Sequence, residues 1–191
     1  MPPTPPQQPI LTLEPLLDAV REGLERARWE LSGLQKTTSY EFEGRWAGDS
    51  SRSAYMFFHR EGLPDWVSID VFLDETSRGL KGNLALVMDG PALRELRDPG
   101  EVLAGLAAVA RSALPGGYRV PLTLRYRLPG LRADPGDSDT EYRFKLYIPP
   151  KALSAGHSAV GDLATSTAHS FQEILESQDL RPFLVEDQGD S

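Results

Sequence analysis

Apolar residues near the start of the chain recur at a 3-4 spacing: Leu13, Leu17, Val20, Leu24, Ala27, Leu31 and Leu34. Such a rhythm lays them along one seam of a helix. The helix is expected to begin after Thr12, whose hydroxyl suits a cap, and to run to about Gln35. Glu14 complements the positive helix end, and Pro15 is tolerated in a first turn whose amides lack helical partners anyway. Asp18, Arg21, Glu22, Glu25, Arg26 and Glu30 form an ordinary solvated outer face, with Glu22 and Arg26 favourably spaced at i,i+4. About three heptads are too few for an independent coiled coil, so the seam is expected to pack on the chain's own sheet.

From Tyr40 the apolar period changes from about 3.5 to 2, which marks strands. Tyr40, Phe42 and Trp46 alternate with Glu41, Glu43 and Arg45. Ser53 to Arg60 is apolar on both faces in its middle, at Tyr55, Met56, Phe57 and Phe58, as an interior strand would be. In Trp66 to Asp74, Val67, Ile69, Val71 and Leu73 point one way and Ser68, Asp70 and Asp74 the other; Leu80, Gly82, Leu84, Leu86 and Met88 then share a phase. Four strands joined by short polar turns predict an antiparallel meander.

Asp98–Pro99–Gly100–Glu101 reads as a helix start and Pro115–Gly116–Gly117 as its end, with Val102, Leu103, Leu106, Val109, Ala110 and Ala113 turned to the sheet. A hairpin follows. Tyr118, Val120, Leu122, Leu124, Tyr126 and Leu128 alternate with Arg119, Pro121, Thr123, Arg125 and Arg127, and Tyr142, Phe144, Leu146 and Ile148 alternate with Glu141, Arg143, Lys145 and Tyr147. Pro121 cannot donate to a ladder, which points to an edge or a bulge. Val160, Leu163, Ala164, Thr167, Phe171, Ile174 and Leu175 predict a last helix. The fold class is therefore α+β: helix, antiparallel strands, helix, two-strand hairpin, helix. Residues 1–11, rich in proline, are expected to be a disordered arm, 12–185 one domain, and 186–191 an acidic tail.

Composition supports one compact domain: 191 residues, 40% hydrophobic and 25% charged, enough to bury roughly 70% of the unfolded surface. With no cysteine, disulfide scaffolds, thiolate nucleophiles, iron–sulfur clusters and cysteine-based zinc sites are excluded. The first nine residues lack the features of a secretory signal and no later stretch is long enough to span a bilayer, so a cytoplasmic protein is expected. A net charge of −8 disfavours direct nucleic-acid binding, which relies on cations displacing counterions, and favours a basic partner, a nucleic-acid-associated protein included. The competing reading of that charge is solubility alone.

Candidate chemistry is sparse. His59, His157 and His169 show no metal-ligand spacing, no serine sits in a G-x-S-x-G elbow, and Gly116–Gly117 follows a helix rather than a strand. Neither catalytic residues, nor a metal, nor a cofactor is expected. Arg119, Arg125, Arg127, Arg143 and Lys145 gather cations on the outward face of one hairpin, either to hold an anionic segment of a partner or to pair with Glu141, Glu41, Glu43, Asp70 and Asp74. Tyr55, Phe57, Trp66 and Phe72 make the sheet's second face more apolar than a solvated face needs to be, so a contact surface is expected there, homodimerisation included.

The order of elements resembles that of the YbjN-like proteins and the type III secretion chaperones of bacteria. The matching stretches are TLEPLLDAVREGLERARWEL, EVLAGLAAVARSAL, RVPLTLRYRL with EYRFKLYI, and AVGDLATSTAHSFQEILES, spanning about residues 12 to 178. The resemblance implies no catalytic residue and a protein-binding role. The expected function is a non-enzymatic, chaperone- or adaptor-like interaction module acting as a homodimer on another protein. The alternative is a helix-grip binder, in which sheet and last helix enclose a small apolar ligand.

Overall fold

The structure is a computed structural model and describes residues 7–39, 51–89, 104–105, 107–109, 123–126, 141–178 and 180–184. Its strands are β1 (Glu30–Ser39), β2 (Ser51–His59), β3 (Val67–Thr76), β4 (Gly79–Asp89), β5 (Thr123–Tyr126) and β6 (Glu141–Tyr147). Its helices are α1 (Leu13–Arg26), α2 (Pro150–Ala155), α3 (His157–Leu175) and the short α4 (Arg181–Leu184), and residues 104–105 and 107–109 are also helical. The six strands form one antiparallel sheet in the order β1-β2-β3-β4-β6-β5. The α+β class, the strands β2, β3 and β4 and the late hairpin are as the alternation predicts, whereas β1 forms in residues expected to be mostly helical. The expected strand from Tyr40 lies outside the described residues, as do the start and end of the middle helix, Pro121, residues 1–6 and the acidic tail.

The first helix corrects the sequence reading. It stops at Arg26, nine residues short of Gln35, and Leu31 and Leu34 belong to β1. The stop is a Schellman turn: the Trp29 amide donates to the Leu24 carbonyl at 3.0 Å and the Arg28 amide to Glu25 at 2.9 Å. Arg28 occupies the left-handed position, φ +65°, where glycine is usual. Trp29 follows it into the core, wholly buried, so the apolar contact that normally accompanies this turn is present in large form.

At its other end α1 receives no hydroxyl cap from Thr12. Glu75 on β3 serves instead, accepting the Leu13 amide at 2.6 Å while its same oxygen takes the Arg52 guanidinium at 2.7 Å. Preceding residues are held too. Ile10 is buried and donates its amide to the Leu153 carbonyl, and Gln7 donates to the Ser158 hydroxyl. The expected disordered arm is thus replaced, from Gln7 onward, by a segment crossing Gly156. A Cβ on that glycine would lie 2.7 Å from the Gln8 carbonyl oxygen, and its φ of +100° breaks the last helical stretch into α2 and α3.

Both long helices cover one face of the sheet. From α1 come Leu13, Leu16, Leu17, Val20 and Leu24; from α3, Val160, Leu163, Phe171 and Ile174. They meet Met56, Phe58, Val67, Ile69, Val71, Leu73, Leu84, Leu86, Phe144 and Leu146 in one core. As far as Ala27 the seam therefore packs on the chain's own sheet, as expected. Where α1 crosses α3 the contact is made by small residues: Gly23 faces Gly161 and Ala164, and the Thr165 hydroxyl lies 2.8 Å from the Gly23 carbonyl.

Candidate interaction surface

The sheet's other face carries the residues whose side chains alternate with that core. Register aligns them in rows across the strands. Gln35, Tyr55, Phe72, Asn83 and Tyr147 form one row; Gly33, Phe57, Asp70, Ala85 and Lys145 form the next. Phe57 leans over Gly33, where a Cβ would come within 3.3 Å of its ring, and Tyr55 meets Phe72 with ring centroids 4.8 Å apart at 42°. Tyr55, Phe57 and Tyr147 remain 40%, 38% and 42% exposed. Toward the middle of the face Asn83, Ala85 and Val87 are buried, so the open apolar surface lies at the β1–β2 end and beside Tyr147.

The expected site residues divide accordingly. Tyr55, Phe57 and Phe72 share this face. Trp66 does not join them: it sits in the turn before β3 and packs against the core, because the chain is still turning there and the strand's alternation has not begun. Arg119 and Arg127 lie outside the described residues. Of Arg125 only the backbone is described, opposite Arg143.

Arg143 is held by carboxylates, at 2.8 Å from Glu141 and 3.2 Å from Asp70, the pairing alternative weighed for the basic hairpin. Lys145 places its ammonium 5.6 Å from the centre of the Tyr147 ring, close enough for a cation–π attraction. Burial pushes the Asp70 carboxyl above its ordinary pKa, although the Ser68 hydroxyl and Arg143 both favour the charged form. The face thus joins exposed aromatic rings to a neutralised charge cluster, which suits contact with a protein surface more than capture of an isolated anion.

Three residues take places the sequence reading did not give them. Leu34, assigned to the helix seam, is 45% exposed on β1; the β-branched pair Thr37–Thr38 just after it was the available signal for a strand. Ser32 and His59 also meet, Oγ to Nδ1 at 2.7 Å, with Ser32 donating to the Phe57 carbonyl at 3.0 Å. A hydroxyl has one proton, so in this arrangement Nδ1 donates to Ser32. The pair clasps the bulge between Leu31 and Gly33 rather than activating a nucleophile. It borders an open cleft of about 350 Å³. A neighbouring cleft of about 480 Å³ is lined by Glu25, Arg28, Trp29, Glu30, Arg60, Glu61 and Gly62.

Among the described residues no group of three or more histidine, aspartate or glutamate side chains could hold a metal ion, and no helix is long and apolar enough to cross a membrane. Compared with known proteins, the chain matches no family model, no curated protein and no solved structure.

Proposed function

We propose that this chain is a non-enzymatic interaction module, chaperone- or adaptor-like, which works as a homodimer and holds another protein against the second face of its sheet. The observation that carries the reading is the aromatic surface of Tyr55, Phe57, Phe72 and Tyr147, three of whose members stay more than a third exposed on a face opposite both long helices. Exposed aromatic rings are costly to leave in water and dominate contact energies once covered. The net charge of −8 draws a basic partner, a nucleic-acid-associated protein included, through long-range attraction. The resemblance of the element order to that of the YbjN-like proteins and secretion chaperones supports the same role. The helix-grip alternative is less well supported, since the described layer between sheet and helices is occupied by Phe58, Phe144 and Phe171, all fully buried.

The test is capture of cross-linked partners from cell extract, identified by mass spectrometry and then repeated with the purified partner. Tyr55→Glu combined with Tyr147→Glu is expected to cut recovery at least about tenfold, the loss of one or two hot-spot contacts, while circular dichroism stays unchanged. Equal recovery by the folded variant would refute the surface.

A further inference from the structure

Among the described residues the sheet ends at β1, so one row of that strand's amides and carbonyls faces away from the described sheet. Beyond the bulge its pairing with β2 is regular from Gly33 to Ser39, and residues 34 to 38 are exposed on both faces. Charge marks the same region. In a chain of net charge −8, β1 contains one carboxylate, Glu30 at its start, and Lys36 in its exposed stretch, while Arg52 on β2 is already paired with Glu75 and Glu14. Two acidic copies can approach here with little repulsion.

We propose that the homodimer forms by antiparallel pairing of β1 with β1 of a second copy about Gln35, joining the two sheets into one. The inference rests on the homodimeric reading above and names the contact, moving it from the aromatic face to the sheet edge. Residues opposite each other in an antiparallel pair share a face. Leu34 and Lys36 lie on the helix side, one on each side of Gln35. A two-fold axis at Gln35 therefore sets Leu34 against Lys36 of the second copy, twice. The lysine stem covers the exposed leucine while its ammonium stays in water. On the opposite face Thr37 of the second copy meets Gly33, where the Phe57 ring already fills the space of the missing side chain. Neighbouring registers are worse. An axis at Lys36 opposes two ammonium groups, and an axis at Leu34 drives both strands into their bulges at Ser32.

The chain has no cysteine, so a single introduced thiol reports its own neighbour. Opposed Cβ atoms in such a pair lie about 4.5–5.5 Å apart, within reach of a disulfide after small adjustment. Full-length Gln35→Cys under mild oxidation is expected to give a covalent species of twice the 21.1 kDa chain mass, at least about ten times faster than Thr38→Cys or Tyr147→Cys. The unmodified protein should sediment as a dimer at about 100 μM, and Lys36→Glu, which adds carboxylates to both sides, should weaken it about tenfold or more. A monomer at that concentration, cross-linking no faster at Gln35 than at Tyr147, or a dimer broken by Tyr147→Glu but not by Lys36→Glu would overturn the proposal. A monomer whose aromatic-face variant still loses its partner would sink the edge contact and leave the interaction surface standing.

Discussion

Replacing Gly23 by alanine tests the packing on which the whole helical layer depends. In an isolated helix the change is favourable by about 1 kcal/mol, because glycine loses more backbone freedom on folding. Here the new methyl carbon would lie 2.3 Å from the Gly161 carbonyl oxygen and 2.7 Å from the Ala164 Cβ, against a floor of 3.0 Å for real contacts. Neither obstacle is a flexible side-chain tip, so α1 and α3 must separate by roughly 0.7 Å or more, and interiors are too dense to absorb that freely. Overpacking of this kind costs about 1–3 kcal/mol. Stretching the Thr165 hydrogen bond to the Gly23 carbonyl adds up to about 1 kcal/mol. With backbone and Cβ atoms in the way the cost of overpacking lies in the upper half of its range, so the net expectation is a loss of about 1–3 kcal/mol, or a fall in Tm of roughly 2–12 °C for a chain of this size. Urea unfolding followed by tryptophan fluorescence, with Trp29 in the core, measures it. A Gly23→Ala protein as stable as the parent, or more stable, would show that the two helices do not cross at this distance.

Further expectations concern caps and charges. Arg28→Gly should stabilise by about 1 kcal/mol, since the left-handed position strains any side chain; an unchanged urea midpoint would argue against the Schellman turn. Glu75→Gln should cost about 1–2 kcal/mol by weakening the only side-chain partner described for the first α1 amide and the Arg52 pair. Burial opposes ionisation of Glu75, but Arg52 and the Leu13 amide outweigh it and hold its pKa below the ordinary value. Its contribution is therefore present above the unfolded-state pKa and fades as pH falls through the lowered one; a parent and variant that lose stability in parallel on acidification would contradict this. Asp70 runs the other way: its raised pKa means that the folded state takes up the proton first, so this group favours folding more as pH drops toward the carboxylate range. Arg143→Met should raise that pKa further, read from the carboxyl carbon by NMR titration, and no movement would show that the 3.2 Å pair is not formed in solution.

Much of this architecture was legible in the residues because burial on one face of a strand imposes a period of two. Val67 to Leu73 and Tyr142 to Leu146 obey it, whereas Leu84 to Met88 is buried on both faces; Val160 to Leu175 obeys the helical period for the same reason. The end of α1 was not legible. Leu31 and Leu34 continue the 3-4 spacing by coincidence, and the turn that stops the helix uses Arg28 where a glycine would have announced it. The candidate surface was partly visible: Tyr55, Phe57 and Phe72 stand out by their phase, whereas Trp66 was misassigned to it; Leu34, on the helix side of β1, was missed as an exposed residue.

By itself, then, the order of residues determined the fold class, the elements other than β1, the inward faces and the surplus of apolar side chains on the second one, since each depends on neighbours a few positions away. Tertiary structure alone decided that Glu75 caps a helix 62 residues earlier, that Gly23 must be small because Gly161 crosses it, that Arg143 is neutralised by Asp70, and that β1 ends the described part of the sheet with Leu34 in the open. Those facts join residues far apart in the chain, and the strand order that brings them together leaves no local period to read.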